Sequence, residues 1–304
     1  MMRKNKRPGF LALFILAAVL PALLAAGQNP PAKPAPQAPP PLTAQEITKS
    51  LYLVKGGSGA NTAFHIAEKE VFVIDAKMTP AAAADMLAEI RKVTSRPVTT
   101  VILTHSDGDH VNGLPGFPKG LHIISHEKCR ADIAAAAETQ AELKDCIPNE
   151  AYDQPRLELR PGSKTIVLAY FGPAHTSGDT VVFFPADRAV FVGDLLFVGR
   201  DPVIHRFKGG RSDGCIRTLQ ALLAVQPPIE TFLSGHADPV GRAEIETAIA
   251  SIEGLRAKIK GLVDGGKSLE EIKRAFGIED RPAPPGGRRF IGAVETIYLE
   301  FTEK

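Results

Sequence analysis

Four short apolar segments in this chain each run into a residue able to bind a metal. VTTVIL (98–103) leads to His105, TIVLAYF (165–171) to His175, AVFVG (189–193) to Asp194 and TFLSG (231–235) to His236. Brief, bounded apolar runs rich in β-branched residues read as buried strands. In α/β sheets, ligand sites collect just beyond the carboxyl ends of strands. Four strand ends that each present such a residue form a pattern rather than one coincidence. Glycines at 108, 113, 178, 193 and 235 leave room for backbone to approach closely there.

The rest of the pattern alternates strands and helices in two comparable halves. LYLVK, NTAFHIA and VFVIDA (51–76) read as strands, with GGSG as a turn between the first two. Thr79 followed by Pro80 predicts a capped helix over AAAADMLAEIRKV. LHIIS (121–125) reads as a strand, and a helix is expected from about Glu127 to Leu143. In the second half RLELR (156–160) and TVVFFP (180–185) are strand-like, and PADR reads as a hairpin turn. Helices are expected from Ser212 or Asp213 to Leu223, over Arg242–Val263, and after a Ser268/Glu271 capping box. Phe290, Val294, Tyr298 and Phe301 lie near helical spacing, which predicts an amphipathic tail helix docked on the core. Hairpins in both halves argue for mixed sheets in an α/β sandwich rather than one parallel doubly wound sheet.

The run His105-Ser106-Asp107-Gly108-Asp109-His110 places four metal-capable side chains within six residues. Imidazole and carboxylate are the standard donors for zinc and related divalent metals. Repulsion between Asp107 and Asp109 requires something positive nearby.

HSDGDH, then GPAHTSGDT, GDLLF and SGHADP in that order resemble the metallo-β-lactamase superfamily, over about residues 45–264. The resemblance implies an αββα four-layer sandwich and two divalent metal ions, zinc first among them. His105, Asp107 and His175 would hold one ion, Asp109, His110 and His236 the other, and Asp194 would bridge them. Asp107 departs from the pattern, since most members carry His there. A carboxylate is a harder, negatively charged donor, which opens iron or manganese at that position. The implied activity is hydrolysis by metal-activated water of an ester, lactone, thioester or amide bond, β-lactams included. Asp109 would orient the water and relay its proton. The alternatives are an iron-dependent oxidoreductase of the same fold, whose flavin domain has no counterpart here, and a non-catalytic metal-stabilised binding protein. The expected partner is a small-molecule substrate.

His205, in GRDPVIHRF, either lines the substrate mouth or packs in its loop. His65, His122 and His126 are expected to be structural, Asn112 to brace the metal loop and Asp213 to cap a helix. Thr176, Ser177 and Asp179 are candidates to orient His175 by hydrogen bonding.

Charge is informative only by location. The chain carries +2 overall, but Arg3, Lys4, Lys6 and Arg7 precede an apolar run from Phe10 to Ala26. With Ala25-x-Gly27 behind it, that run predicts a signal peptide over 1–27, with an uncleaved anchor as the alternative. Its removal leaves about −2, with no basic excess to attract nucleic acid or anionic membrane. The expected location is periplasmic or secreted. QNPPAKPAPQAPPP (28–41) reads as a semi-extended linker, and the catalytic domain is expected over 42–304. Export permits a Cys129–Cys146 disulfide, while three buried thiols are the alternative.

Overall fold

The computed structural model describes residues 39–279, 282–283 and 289–303. The expected signal segment and most of the expected linker lie outside these residues. The end of that linker is part of the folded body, because Pro40 O accepts the Gly57 amide at 2.7 Å.

Two sheets form. The first has strands in chain order: β1 (Thr43–Glu46), β2 (Leu51–Lys55), β3 (Thr62–Ile66), β4 (Val71–Ile74), β5 (Val98–Ile102), β6 (His122–His126) and β7 (Glu150–Tyr152). The second comprises β8 (Arg156–Leu159), β9 (Ile166–Ala169), β10 (Val181–Phe184), β11 (Ala189–Phe191), β12 (Thr231–Ser234) and β13 (Ala237–Val240), again in chain order across the sheet. Both are mixed. β1 to β4 and β8 to β11 pair antiparallel, whereas β4 to β7 and β11–β12 pair parallel. The helices are α1 (Pro80–Val93), the single turn α2 (Gly108–Val111), α3 (Glu127–Ala137), α4 (Ser212–Leu223), α5 (Arg242–Asp264), α6 (Leu269–Ala275) and α7 (Ala293–Thr302).

Side-chain alternation along each strand builds the layers. In β4, Val71 and Val73 pack with Met86, Leu87 and Ile90 of α1 and Ile133 of α3. Phe72 and Ile74 point the other way, into a core shared with Leu168, Val182, Phe184 and Phe191 of the second sheet. Val181, Val190 and Phe232 face outward onto Leu219, Leu222, Ile245 and Ile249 of α4 and α5. The result is the expected αββα sandwich. Among the described residues, no helix is long and apolar enough to cross a membrane.

Local signals read from sequence act as anticipated at two helix starts. Thr79 accepts the Ala82 amide at 3.2 Å, and Ser268 with Glu271 forms a reciprocal capping box.

Other expectations are corrected. The helix from Glu127 stops at Ala137 and gives way to a 3₁₀ segment, Ala141–Cys146. The Thr139 hydroxyl donates to Ala136 O at 3.2 Å, so a side chain competes for a helical carbonyl just where the helix ends. The tail helix begins at Ala293 behind Gly292, which leaves Phe290 outside it and largely exposed. Asp213 does not cap α4. It lies in the first turn, paired with Arg211 and Arg217, while Glu300 of α7 accepts the Ser212 amide at 2.7 Å. The edge strands β1 and β13 carry too little apolar pattern to have been foreseen. All three cysteines are buried and unpaired, so Cys129 and Cys146 form no disulfide.

Candidate metal centre

The carboxyl end of β5 delivers His105 and Asp107, and α2 turns the chain so that Asp109 and His110 face back across the strand ends. From the second sheet, His175 follows β9, Asp194 follows β11 and His236 follows β12. All seven expected side chains converge. His105, Asp107, His175 and Asp194 offer donor atoms within 4.8 Å of one another, as do Asp109, His110 and His236.

The spacings suit cations. Metal–ligand bonds of about 2.0–2.1 Å in tetrahedral geometry put donor atoms roughly 3.4 Å apart. Here His175 Nε2 is 3.2 Å and His105 Nε2 3.6 Å from Asp107 Oδ2. His236 Nε2 is 3.1 Å and His110 Nε2 3.7 Å from Asp109 Oδ2. Asp194 reaches both groups, with Oδ1 3.2 Å from His110 Nε2, and Oδ2 3.1 Å from His236 Nε2 and 4.0 Å from His105 Nε2.

Three imidazoles are oriented from behind. His105 Nδ1 meets Thr104 Oγ1 at 2.9 Å, His110 Nδ1 meets the Asp75 carboxylate at 2.7 Å, and His175 Nδ1 meets Val203 O at 2.8 Å. Such partners fix the ring and turn Nε2 inward, as metal-ligating histidines require. The inward atoms His105 Nε2, His110 Nε2 and Asp194 Oδ1 are buried and have no hydrogen-bond partner. Unpaired buried polar atoms are costly. Their convergence fits a site built for cations.

Electrostatics agree. Burial works to raise the Asp107 carboxyl, but the neighbouring imidazoles of His105, His175 and His205 outweigh it and hold the group well below the usual carboxylate range. Burial likewise opposes ionisation of Asp194, and His110 and His236 overcome it. His236 is raised to about 9 by Asp109 and Asp194, and His175 to about 9 by Asp107 in spite of its burial. The carboxylates of Asp107, Asp109 and Asp194 therefore hold positive charge against themselves, whether as protons on imidazole or as divalent cations.

Close backbone approach is required at two glycines. Gly193 has φ +55°, which swings Asp194 inward. A Cβ on Gly235 would lie 2.4 Å from Asp194 Oδ1 and 2.7 Å from His110 Cε1.

Two of the surrounding residues, His205 and Asp179, are placed differently from expectation, and Asn112, His65, His122 and His126 take the structural places expected of them. His205 is part of the centre, with Nε2 2.7 Å from Asp107 Oδ2. The Asp179 carboxylate accepts the Thr176 amide and hydroxyl, closing the loop rather than touching the His175 ring. Asn112 lies with its amide over Gly108, as a brace. His122 sits at the surface against Glu150, His65 pairs with Asp187, and His126 caps α3.

Sequence reasoning missed four contributors. Asp75, at φ +65°, accepts the Thr104 amide and hydroxyl besides facing His110. A carboxylate ending the apolar strand VFVID was its only signal. Lys208 donates to Asp107 Oδ1 at 2.7 Å. Asn61 donates to Ser234 O and Ala237 O, tying the turn before β3 to the His236 loop. Lys77 is fully buried and holds the Gly56 and Ala60 carbonyls at 2.8 Å each.

A model of the metallo-beta-lactamase superfamily matches residues 56–236, and the chain belongs to that superfamily. It is thereby an enzyme of a fold that acts on small molecules and binds divalent metals, often two. One relative is the 2,4-dinitroanisole O-demethylase subunit alpha of Nocardioides sp. (strain JS1661), 24% identical over 83% of this chain and 75% of its own length. Another is the metallo-beta-lactamase type 2 of Elizabethkingia meningoseptica, 22% identical over 66% of this chain and 78% of its own. Among solved structures, the metallo-beta-lactamase from Pontibacter korlensis aligns with a TM-score of 0.60 at 14% identity, covering 70% of this chain and 99% of that one. The DIM-1 metallo-beta-lactamase gives 0.61 at 16%, covering 71% and 99%. At these identities the structures establish a common fold.

Proposed function

We propose that the protein is an exported, metal-dependent hydrolase that cleaves an ester, lactone, thioester or amide bond. The observation that carries this reading is the Asp194 carboxylate between two clusters of histidine and aspartate donors, with Oδ1 against His110, and Oδ2 against His236 and 4.0 Å from His105 of the other cluster. His105, Asp107 and His175 would hold one divalent ion, Asp109, His110 and His236 the other, with Asp194 shared. Such ions supply Lewis acidity and make water nucleophilic at neutral pH. Zinc suits the imidazoles, while Asp107 also suits iron or manganese.

The chain's own groups divide the work. His105 and His110 are buried at the floor, whereas the Asp109 and His236 side chains are 23% and 30% exposed and face the entrance. Asp109 is thus the carboxylate that an entering water meets, and it orients that water and receives its proton. His236, stacked on Phe197 at 5.6 Å between ring centroids, forms the adjoining wall. The side chains on the floor keep the fixed orientation that transition-state stabilisation needs.

Metal analysis of protein purified without added metal, followed by assays on nitrocefin, p-nitrophenyl esters, thioesters and lactones, tests the proposal. Two ions per chain are expected, with hydrolysis abolished by Asp109→Ala in a folded variant. An iron-filled protein with a visible band and no hydrolysis would move the assignment to the oxidoreductase reading. Export is tested by N-terminal sequencing of the mature protein, where a start near residue 28 is expected.

A second reading is cleavage of an activated aryl ether. The relative that spans 83% of this chain is named for O-demethylation of 2,4-dinitroanisole. Attack of the same water-derived nucleophile on the nitro-activated ring carbon would break the aryl C–O bond, giving 2,4-dinitrophenolate and, after protonation of the leaving methoxide, methanol. Release of coloured nitrophenolate from that substrate would establish it.

A further inference from the structure

Asp107 stands where the sequence resemblance implies an imidazole, and the structure surrounds it with compensating groups. Lys208 Nζ lies 2.7 Å from Oδ1 and also donates to Ser106 O at 3.1 Å. Oδ2 is left facing His175 at 3.2 Å and His105 at 3.6 Å, with His205 Nε2 at 2.7 Å on the same oxygen.

The placement of Lys208 is built in. The turn that carries it, Arg206–Lys208, closes on Gly209 at φ +74°. It is sewn to the His175 loop by His205 N to His175 O at 2.8 Å and Ser177 N to Lys208 O at 2.7 Å. A Cβ on Gly210 would strike His175 O at 2.3 Å, so the two segments run in direct contact. The ammonium therefore has a fixed address beside a carboxylate whose side chain is only 14% exposed.

We propose that Asp107 and Lys208 act as one unit at the first metal position. The ammonium occupies Oδ1 and cancels the carboxylate's charge. Oδ2 remains as a single-oxygen donor with the net charge of a neutral imidazole. Lys208 is thus a positioning residue that makes the Asp-for-His exchange electrostatically neutral. A lone Asp107 would add a negative charge to the position, and a lone Lys208 would set a cation against the metal. Each residue is costly without the other. The inference rests on the two-metal reading above.

The test is a double-mutant cycle on the full mature chain: wild type, Asp107→His, Lys208→Met and the double variant. Zinc affinity is measured at each position by competition with a chromophoric chelator, and metal-free folding by thermal melting. Asp107→His alone should weaken the first position by at least about 10-fold, because imidazole, ammonium and metal are then crowded together. Adding Lys208→Met should recover most of that loss, giving a coupling of about 10-fold or more. Affinity at the second position should change less than about 2-fold in every variant. Effects of the two substitutions that simply multiply would overturn the pairing while leaving the two-metal reading intact. A wild-type chain that binds no zinc, iron or manganese would overturn both. If Asp107→His does not fold, the cycle is run with Asp107→Asn and judged by the same coupling.

Discussion

The Asp75 carboxylate sits 2.7 Å behind His110 Nδ1, although 35 residues separate them, and it also receives the Thr104 amide at 2.8 Å. One buried acid therefore holds both the ring of His110 and the first turn of the loop that begins the metal run. Replacing it leaves buried donors unpaired, each costing about 1–3 kcal/mol. Asp75→Asn should lower metal affinity at the His110 position by about 10- to 100-fold. Asp75→Ala should in addition lower the melting temperature measurably. Chelator competition and calorimetry check the two effects separately, and unchanged affinity in a folded Asp75→Asn variant would refute the orienting role.

Gly235 is a steric test of the centre. The added methyl of Gly235→Ala would press on Asp194 Oδ1 and His110. A misplacement of about 1 Å in such a site costs roughly 100-fold in turnover. The expected variant is folded by circular dichroism but about 100-fold slower on whichever substrate the panel identifies. Normal turnover would mean that these two side chains need not keep their present positions.

Removing metal should destabilise the fold. A ligand bound only by the native state, present at 1,000 times its Kd, contributes about 4 kcal/mol. For a domain of this size that corresponds to a melting shift of about 10 °C. Dialysis against chelator should lower the melting temperature by about that much, and zinc should restore it. An identical melt with and without metal would speak against cations at these donors.

His126 gives a stability effect with a definite sign. It is buried, accepts the Lys128 amide at 3.3 Å and stacks on Tyr170 with centroids 3.8 Å apart. Burial, and then the Lys128 charge, press its pKa from 6.5 down to about 4. Between those values the unfolded chain binds the extra proton, so stability falls as pH drops through that window. His126→Gln keeps an acceptor and removes the titration. The difference in urea midpoint between wild type and variant should change across pH 7 to 4.5, the wild type losing more. A constant difference would rule out this contribution.

The four strand ends were legible because each ligand follows its strand within a few residues, and a strand's direction fixes where its end points. Lys208, and the contact of the candidate His205 with Asp107, were not, because both relations are made across about 100 residues by a turn whose only local mark is Gly209-Gly210. Asp75 and Asn61 were hidden for the same reason, since their partners lie on other elements of the fold. Helix starts with side-chain caps were readable. The cap of α4 was not, because the Ser212 amide is satisfied by Glu300 from the far end of the chain.

The donors are divided between the sheets. Each cation position takes side chains from the strands before residue 127 and from those after residue 165. Neither half of a newly made chain can complete a position alone. A complete donor set therefore exists only once the two halves have met, and a cation held there would rivet one sheet to the other.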